Sequence, residues 1–259
     1  MTQPPQTSEN VKRLTDLGAH LDADVILRSP VLLQPVTGRD LVLELLGAEF
    51  ESTLAGEFDE SGLRVLFWEG SVDGNPLHTA SVITRSASGS IAEIDLFMRP
   101  FPVVTRYREK VRHLDDARLP DALWEIAPGA IHTAPAGRKY LDVPDLRLAE
   151  NVAFISPILL DTVYGADEVG RLMEIVTAAH GPRRFHQLAR AGAEVVGLFD
   201  ATVAGQAMEA LNRSRFNQHG ELVELTAYFK PWPVVKLFER AVRDIAPDVL
   251  PEAYDTLPN

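Results

Sequence analysis

The chain contains no cysteine, which excludes disulfides, thiolate metal sites and cysteine nucleophiles together. It also lacks any apolar run near the roughly 20 residues that a membrane-spanning helix needs. Stretches such as residues 41–46 and 195–199 are far shorter, and mean hydropathy is -0.03. Positive charge is scarce: 25 Lys and Arg face 37 Asp and Glu, for a net charge of -12. Each phosphate contact needs a local cation, so nucleic acid is not an expected partner. The opening residues MTQPPQTSEN lack the basic and then apolar order of a secretory signal. These absences predict a soluble, cytoplasmic protein that binds neither membrane nor nucleic acid. The sequence has no G-x-G-x-x-G, P-loop or G-x-S-x-G pattern. Its seven histidines (His20, His78, His113, His132, His180, His186 and His219) include no i, i+4 pair. No metal and no cofactor is therefore expected. What is present is length and apolar content, 259 residues and 46% hydrophobic, enough for one large core or two ordinary ones.

The chain repeats itself. Residues 89–104, GSIAEIDLFMRPFPVV, match residues 220–235, GELVELTAYFKPWPVV, at a constant offset of 131. The same offset carries Val72-Asp73-Gly74-Asn75 onto Val203-Ala204-Gly205-Gln206. Upstream, Ser29-Pro30-Val31-Leu32-Leu33 matches Ser156-Pro157-Ile158-Leu159-Leu160, and Gly38 matches Gly165, at an offset of 127. The second copy is thus four residues longer between its long helix and its central strands. We read a first copy over residues 8–115, a Pro-, Ala- and Gly-rich linker over 116–139 with one helical turn, a second copy over 140–245 and a tail over 246–259 marked by Pro251 and Pro258.

Within a copy, apolar residues at Val11, Leu14, Leu17 and Leu21 have helical spacing, and Val25-Ile26-Leu27 is a short strand stopped by Pro30. Thr37 as N-cap with Asp40 three residues on predicts a helix through about Ser52, its inward stripe formed by Val42, Leu45, Leu46 and Phe50. Residues 63–72, 77–84 and 91–99 read as strands joined by Asp73-Gly74-Asn75 and by Ser86-Ala87-Ser88-Gly89 turns. Pro100 and Pro102 end the sheet, and residues 103–111 form a closing helix. The predicted class is α+β, with helices over one face of a curved, mainly antiparallel sheet, twice.

The order Ser-Pro, Gly, helix, Val-Asp-Gly-Asn and then Gly-x-Ile-x-Glu-Ile-x-x-Phe-Met-Arg-Pro resembles the nuclear transport factor 2-like superfamily, especially its bacterial SnoaL-like branch. The second copy resembles it through Ser156-Pro157, Gly165, Val203, Gly205, Gly220, Glu224 and Lys230-Pro231. The resemblance implies two cones of curved sheet, each closed by helices around an apolar pocket, paired through their sheets as an intrachain pseudo-dimer that is a monomer in solution. It also implies a small hydrophobic ligand. The fold hosts isomerases, cyclases, epoxide hydrolases and non-catalytic binders, so the residues must decide among them. Where isomerase-like and cyclase-like members place an Asp base before the proline, this chain has Ser29 and Ser156, and a hydroxyl is no base without a neighbouring one. Where the isomerases place a second acid, it has Ser81 and Asn212.

Strand alternation puts Glu93 and Asp95 on the face opposite Ile94, Leu96 and Met98, and Glu224, Thr226 and Tyr228 on the corresponding face of the second copy. If that face lines the pocket, Glu93, Asp95 and Glu224 are candidate acids and bases; if it lies outside or between the copies, they are solvated or ion-paired. Arg99 and Lys230, each before a proline, are candidates to close a pocket mouth on an anionic group. Trp68 and Tyr228 are candidate aromatic walls and the Tyr164 phenol a candidate donor. Ser29, Ser81, Ser156 and Asn212 complete the ligand-binding candidates. The preferred reading is a small-molecule-binding protein. The alternatives are a cyclase, isomerase or epoxide hydrolase using those carboxylates, and an interaction module using the duplicated sheet.

Overall fold

A computed structural model describes residues 12–47, 51–112, 119–143 and 146–250. The first copy begins with a 3-10 turn, Leu14–His20, and continues through β1 (Leu21–Arg28), β2 (Val36–Thr37) and α1 (Arg39–Gly47). Four long strands follow, β3 (Glu51–Glu60), β4 (Leu63–Val72), β5 (Asn75–Arg85) and β6 (Ile91–Arg99), closed by α2 (Phe101–Arg112). A linker with one helical turn, Asp121–Leu123, leads to the second copy. That copy contains β7 (Leu148–Ile155), β8 (Val163–Tyr164), α3 (Ala166–His180), β9 (Arg184–Ala191), β10 (Glu194–Val203), β11 (Gln206–Phe216), β12 (Leu222–Lys230) and α4 (Trp232–Ile245). Strand order is β2-β1-β6-β5-β4-β3 in one sheet and β8-β7-β12-β11-β10-β9 in the other. In each, the pairing of β1 with β6, or of β7 with β12, is parallel and the rest is antiparallel. Register shifts in β1–β6, β3–β4 and β5–β6 bend the first sheet, and comparable shifts recur in the second. The twofold α+β architecture expected from the repeat is what the chain has. Among the described residues no helix is long and apolar enough to cross a membrane.

Three local expectations are corrected. The first helical stripe is a 3-10 turn, and Leu21, expected on that helix, starts β1, which reaches well beyond Val25–Leu27; Val11 lies outside the described residues. Helix α1 ends at Gly47 and does not run to Ser52, which lies on β3; Phe50 is outside the described residues. Gly38 (φ 105°), not Thr37, precedes α1, because Thr37 is held in β2 and the helix's first backbone bond, Val42 N–H to Gly38 O, starts one residue later. Strand β3 and its counterpart β9 are the edge strands of their sheets, β9 meeting only a single bridge from Leu141 on its outer side, and both carry charged residues on both faces, so neither shows the alternation by which strands are read. The β3–β4 turn is set by Ser61 (φ 53°) and Gly62 (φ 79°), the left-handed pair that a two-residue hairpin needs. Ala246 and Leu250, in the expected tail, are buried; Pro251 and Pro258 are outside the described residues, as is His113.

Each sheet has two buried faces. One packs beneath its own helices: Ile94, Leu96 and Met98 meet Val42 and Leu45 in the first copy, and Leu225, Ala227 and Phe229 meet Val169 and Leu172 in the second. The other face packs on the opposite sheet, where Val65, Phe67 and Phe97 meet Val196, Leu198 and Tyr228. The repeat relates the contacts across this interface. Phe101 N–H donates to Pro157 O (2.8 Å), and its counterpart Trp232 N–H donates to Pro30 O (2.7 Å). The Phe101 and Trp232 rings stack on each other at 5.7 Å, where a two-fold axis would pass. This reciprocity is the signature of an isologous dimer interface, here made within one chain. The linker is packed as well: Trp124 is buried, its indole donates to Leu119 O (3.0 Å), and Leu123 O receives Leu33 N–H (2.7 Å).

Candidate functional site

The helix-covered face of the second sheet holds a cavity of about 20 Å³ between α3 and strands β7, β10, β11 and β12. Phe154, Phe199, Leu225 and Phe229 form its apolar wall, and Met173 and Val176 of α3 face them. Its polar groups are Asn212, His180, Thr177 and Arg183. Asn212 is 7% exposed, and its Oδ1 is buried with no hydrogen-bond partner. An orphaned buried acceptor costs about 1–3 kcal/mol, so it is a feature to be explained. His180 is buried among the rings of Phe199, Phe229 and Phe238 at 6.0–6.3 Å. Its Nδ1 lies 2.6 Å from Gly181 O, a carbonyl that can only accept, so Nδ1 carries the proton. Burial, the largest influence, pushes the imidazole's pKa down and favours the neutral ring, whose Nε2 is then an acceptor.

The first copy carries larger side chains at the equivalent positions. At the constant offset of 131, Leu66, Trp68 and Leu96 stand where the second copy has Gly197, Phe199 and Ala227, and all three are buried in the core. Trp68 is 1% exposed and its Nε1–H donates to Ser81 Oγ at 2.8 Å. The hydroxyl at the expected acid position therefore has its partner within the core. In the second copy some of the freed room over Gly197 is taken by Phe185 and Leu188, each 2.9 Å from where a Cβ would lie. Asn212 nevertheless keeps its unpaired oxygen.

The carboxylate candidates lie elsewhere, on the face between the sheets or at its margin. Glu93 accepts from Arg28 Nε (2.5 Å), and Glu224 accepts from Arg215 (2.9 Å) at the surface. Asp95 is ion-paired with Lys230, which is 3% exposed, and Glu209 Oε1 lies 4.0 Å from the same ammonium. Arg138 of the linker pairs with both Glu209 and fully buried Asp200, and the Tyr140 phenol donates to Asp200 (3.0 Å). Burial opposes the charge on Glu209, yet Lys230 and Arg138 outweigh it and bring its carboxyl down to about 2. Burial pushes Asp95 up, against the pull of Lys230. A polar crevice of about 30 Å³ opens beside this network, lined by Arg28, Ser29, His132, Glu209 and Lys230 among others.

The remaining candidates lie outside the cavity. Ser29 Oγ accepts Val31 N–H (3.3 Å), and Ser156 Oγ accepts Ile158 N–H (3.2 Å) and Leu159 N–H (3.3 Å), so both hydroxyls cap the turn after their strand. Arg99 crosses to the other copy, donating to Ser156 O (2.9 Å) and Leu159 O (3.5 Å). Tyr228 is buried between the sheets, where burial raises its phenol to about 12. Tyr164 is 68% exposed on β8, away from the cavity lining. Of the twelve candidates, Asn212 alone lines the cavity, while Ser29 and Lys230 share the crevice. His180, Phe199 and the Arg138–Asp200 pair were not singled out. The offset of 131 exposes Phe199 once the residues opposite it are compared for size, whereas His180 falls in the stretch where the copies differ in length.

No family model and no curated protein matches the sequence. Among solved structures, a steroid delta-isomerase from Pseudomonas aeruginosa is 21% identical with a TM-score of 0.37, over 39% of this chain and 77% of that one. A protein conserved in bacteria with a cystatin-like fold, from Silicibacter pomeroyi, is 27% identical with a TM-score of 0.37, over 41% and 79%. An LEH-like epoxide hydrolase of M. tuberculosis is 14% identical with a TM-score of 0.29, over 39% and 79%.

Proposed function

We propose that the chain binds a small, largely hydrophobic molecule in its second copy, with the first copy and the linker as a fixed support. The observation that carries this reading is the unpartnered, buried Oδ1 of Asn212 in an aromatic-walled cavity, set against Ser81, whose hydroxyl is paired with buried Trp68 in the first copy. As closed, about 20 Å³ admits one water, so a ligand enters by moving α3 from the sheet. The α3 wall suits that motion: Met173 and Val176 are only half-buried and Thr177 is exposed, and an unbranched methionine repacks readily. Binding without turnover is favoured over acid–base catalysis, because Glu93, Asp95 and Glu224 are each committed to a cation and none lines this cavity. The chemistry an isomerase or epoxide hydrolase needs has no carboxylate there to perform it.

The double variant Phe199→Trp/Asn212→Ser tests this by rebuilding the first copy's arrangement in the second. Native mass spectrometry of the purified chains, followed by titration with cyclohexanol, should show ligand on the wild type and none on the variant, with both folded. Equal binding by the two would remove the site from the second cone, and no binding by the wild type would remove the function.

A further inference from the structure

We propose that the molecule held in the second cone is an alcohol or a phenol: a compact apolar body whose hydroxyl donates to Oδ1 of Asn212. This rests on the binding reading above and adds the polarity of the ligand's functional group. The deep polar groups of the cavity offer lone pairs at Asn212 Oδ1 and His180 Nε2, with the Asn212 amide nitrogen as a donor beside them. Asn212 Oδ1 is an acceptor without a donor, and its flanking strand partners, Gly197 and Ala227, carry no polar side chain to supply one. His180 spends its Nδ1 proton on Gly181 O, which leaves Nε2 as a second acceptor. Thr177 can adapt to either role, and Arg183 is solvent-exposed, marking the outer end of the lining. The walls around these acceptors are Phe, Leu, Val and Met. A ketone or ether of the same shape can accept from the Asn212 amide nitrogen but leaves Oδ1 unpaired, whereas a hydroxyl can donate to Oδ1. Sites built around buried polar groups discriminate strongly against ligands that leave those groups unpaired.

Cyclohexanol and cyclohexanone have nearly the same shape and differ in the donor, so their titration by isothermal calorimetry at neutral pH separates the possibilities. The expected result is about tenfold tighter binding of cyclohexanol, the ratio that one buried hydrogen bond supplies. In Asn212→Leu, which is close in volume and leaves no orphan, that ratio should fall to about one through weaker cyclohexanol binding. Equal affinities in the wild type, or tighter cyclohexanone, would overturn the assignment of the functional group while leaving the site intact. Binding of neither probe at millimolar concentration would overturn the site and this inference together. A tenfold preference that survives in Asn212→Leu would overturn the role of Oδ1.

Discussion

Replacing Lys230 by methionine keeps most of the side chain's volume and removes the ammonium that pairs with Asp95 and lies 4.0 Å from Glu209. Lys230 is 3% exposed and the Asp95 side chain 14%, so water does little to replace the lost cation. Breaking a buried pair from one side costs about 3–5 kcal/mol, mainly because the surviving charge is stranded. At about 2–4 °C per kcal/mol for a chain of this size, the melting point should fall by about 6–20 °C. Burial already pushes the Asp95 carboxyl up, and without Lys230 it rises further, so the folded variant takes up a proton that the unfolded chain does not. The deficit measured by urea unfolding should therefore be largest near pH 7 and shrink toward pH 5. Asp95→Leu/Lys230→Met, which removes both charges, should recover most of the loss, since Glu209 retains Arg138. A single variant within about 0.5 kcal/mol of wild type at pH 7, the range of ordinary surface substitutions, would refute the sealed ion pair. It would also return Asp95 to the list of candidate catalytic groups.

Acid should destabilise the protein through its buried imidazoles. His132, His180 and His186 are all lowered from 6.5, burial being the largest cause in each, so the unfolded chain binds more protons than the folded one below that value. Stability should be flat above pH 6.5 and decline as pH falls toward the lowered values; a urea midpoint that rises on acidification from pH 6.5 to 5.5 would contradict this. Trp68→Phe removes the donor to Ser81 and opens the first cone, with an expected loss of about 1–3 kcal/mol in urea unfolding. Unchanged stability would show that the indole is not the plug.

The duplicated fold was legible because turns and strand ends are written locally. Val72-Asp73-Gly74-Asn75 and Val203-Ala204-Gly205-Gln206 repeat a two-residue turn in which Asp73 and Gly74, and again Ala204 and Gly205, take positive φ. The edge strands β3 and β9 were not legible, because a strand paired on one side carries polar residues that blur its period. At the site, alternation alone put Glu93 and Asp95 on the face opposite Ile94, Leu96 and Met98. It could not say what that face meets, since the opposite sheet is more than a hundred residues away in sequence. The cavity was hidden for a different reason: it comes from differences in size, Leu66 to Gly197, Trp68 to Phe199 and Leu96 to Ala227, on a face where both sets are equally apolar.

The pairing of the copies makes each half part of the other's fold. Phe101 bonds to Pro157 and Trp232 to Pro30, and Arg99 reaches Ser156 while Lys230 meets Asp95, so each half supplies the other with contacts at the strand end beneath its helices. Losing either half would expose the apolar face shared by Phe67, Phe97, Leu198 and Tyr228, and both are needed for the fold whatever they bind. The interface constrains only one face of each sheet, so the helix-covered faces can differ between the copies, as Leu66, Trp68 and Leu96 differ from Gly197, Phe199 and Ala227. The same freedom applies between the sheets, where Arg99 meets backbone carbonyls in one copy and Lys230 meets Asp95 in the other. Chemically distinct contacts stand at equivalent positions there while the backbone bonds are reciprocal, because the backbone bonds depend on the fold and the side-chain pairs only on mutual compatibility.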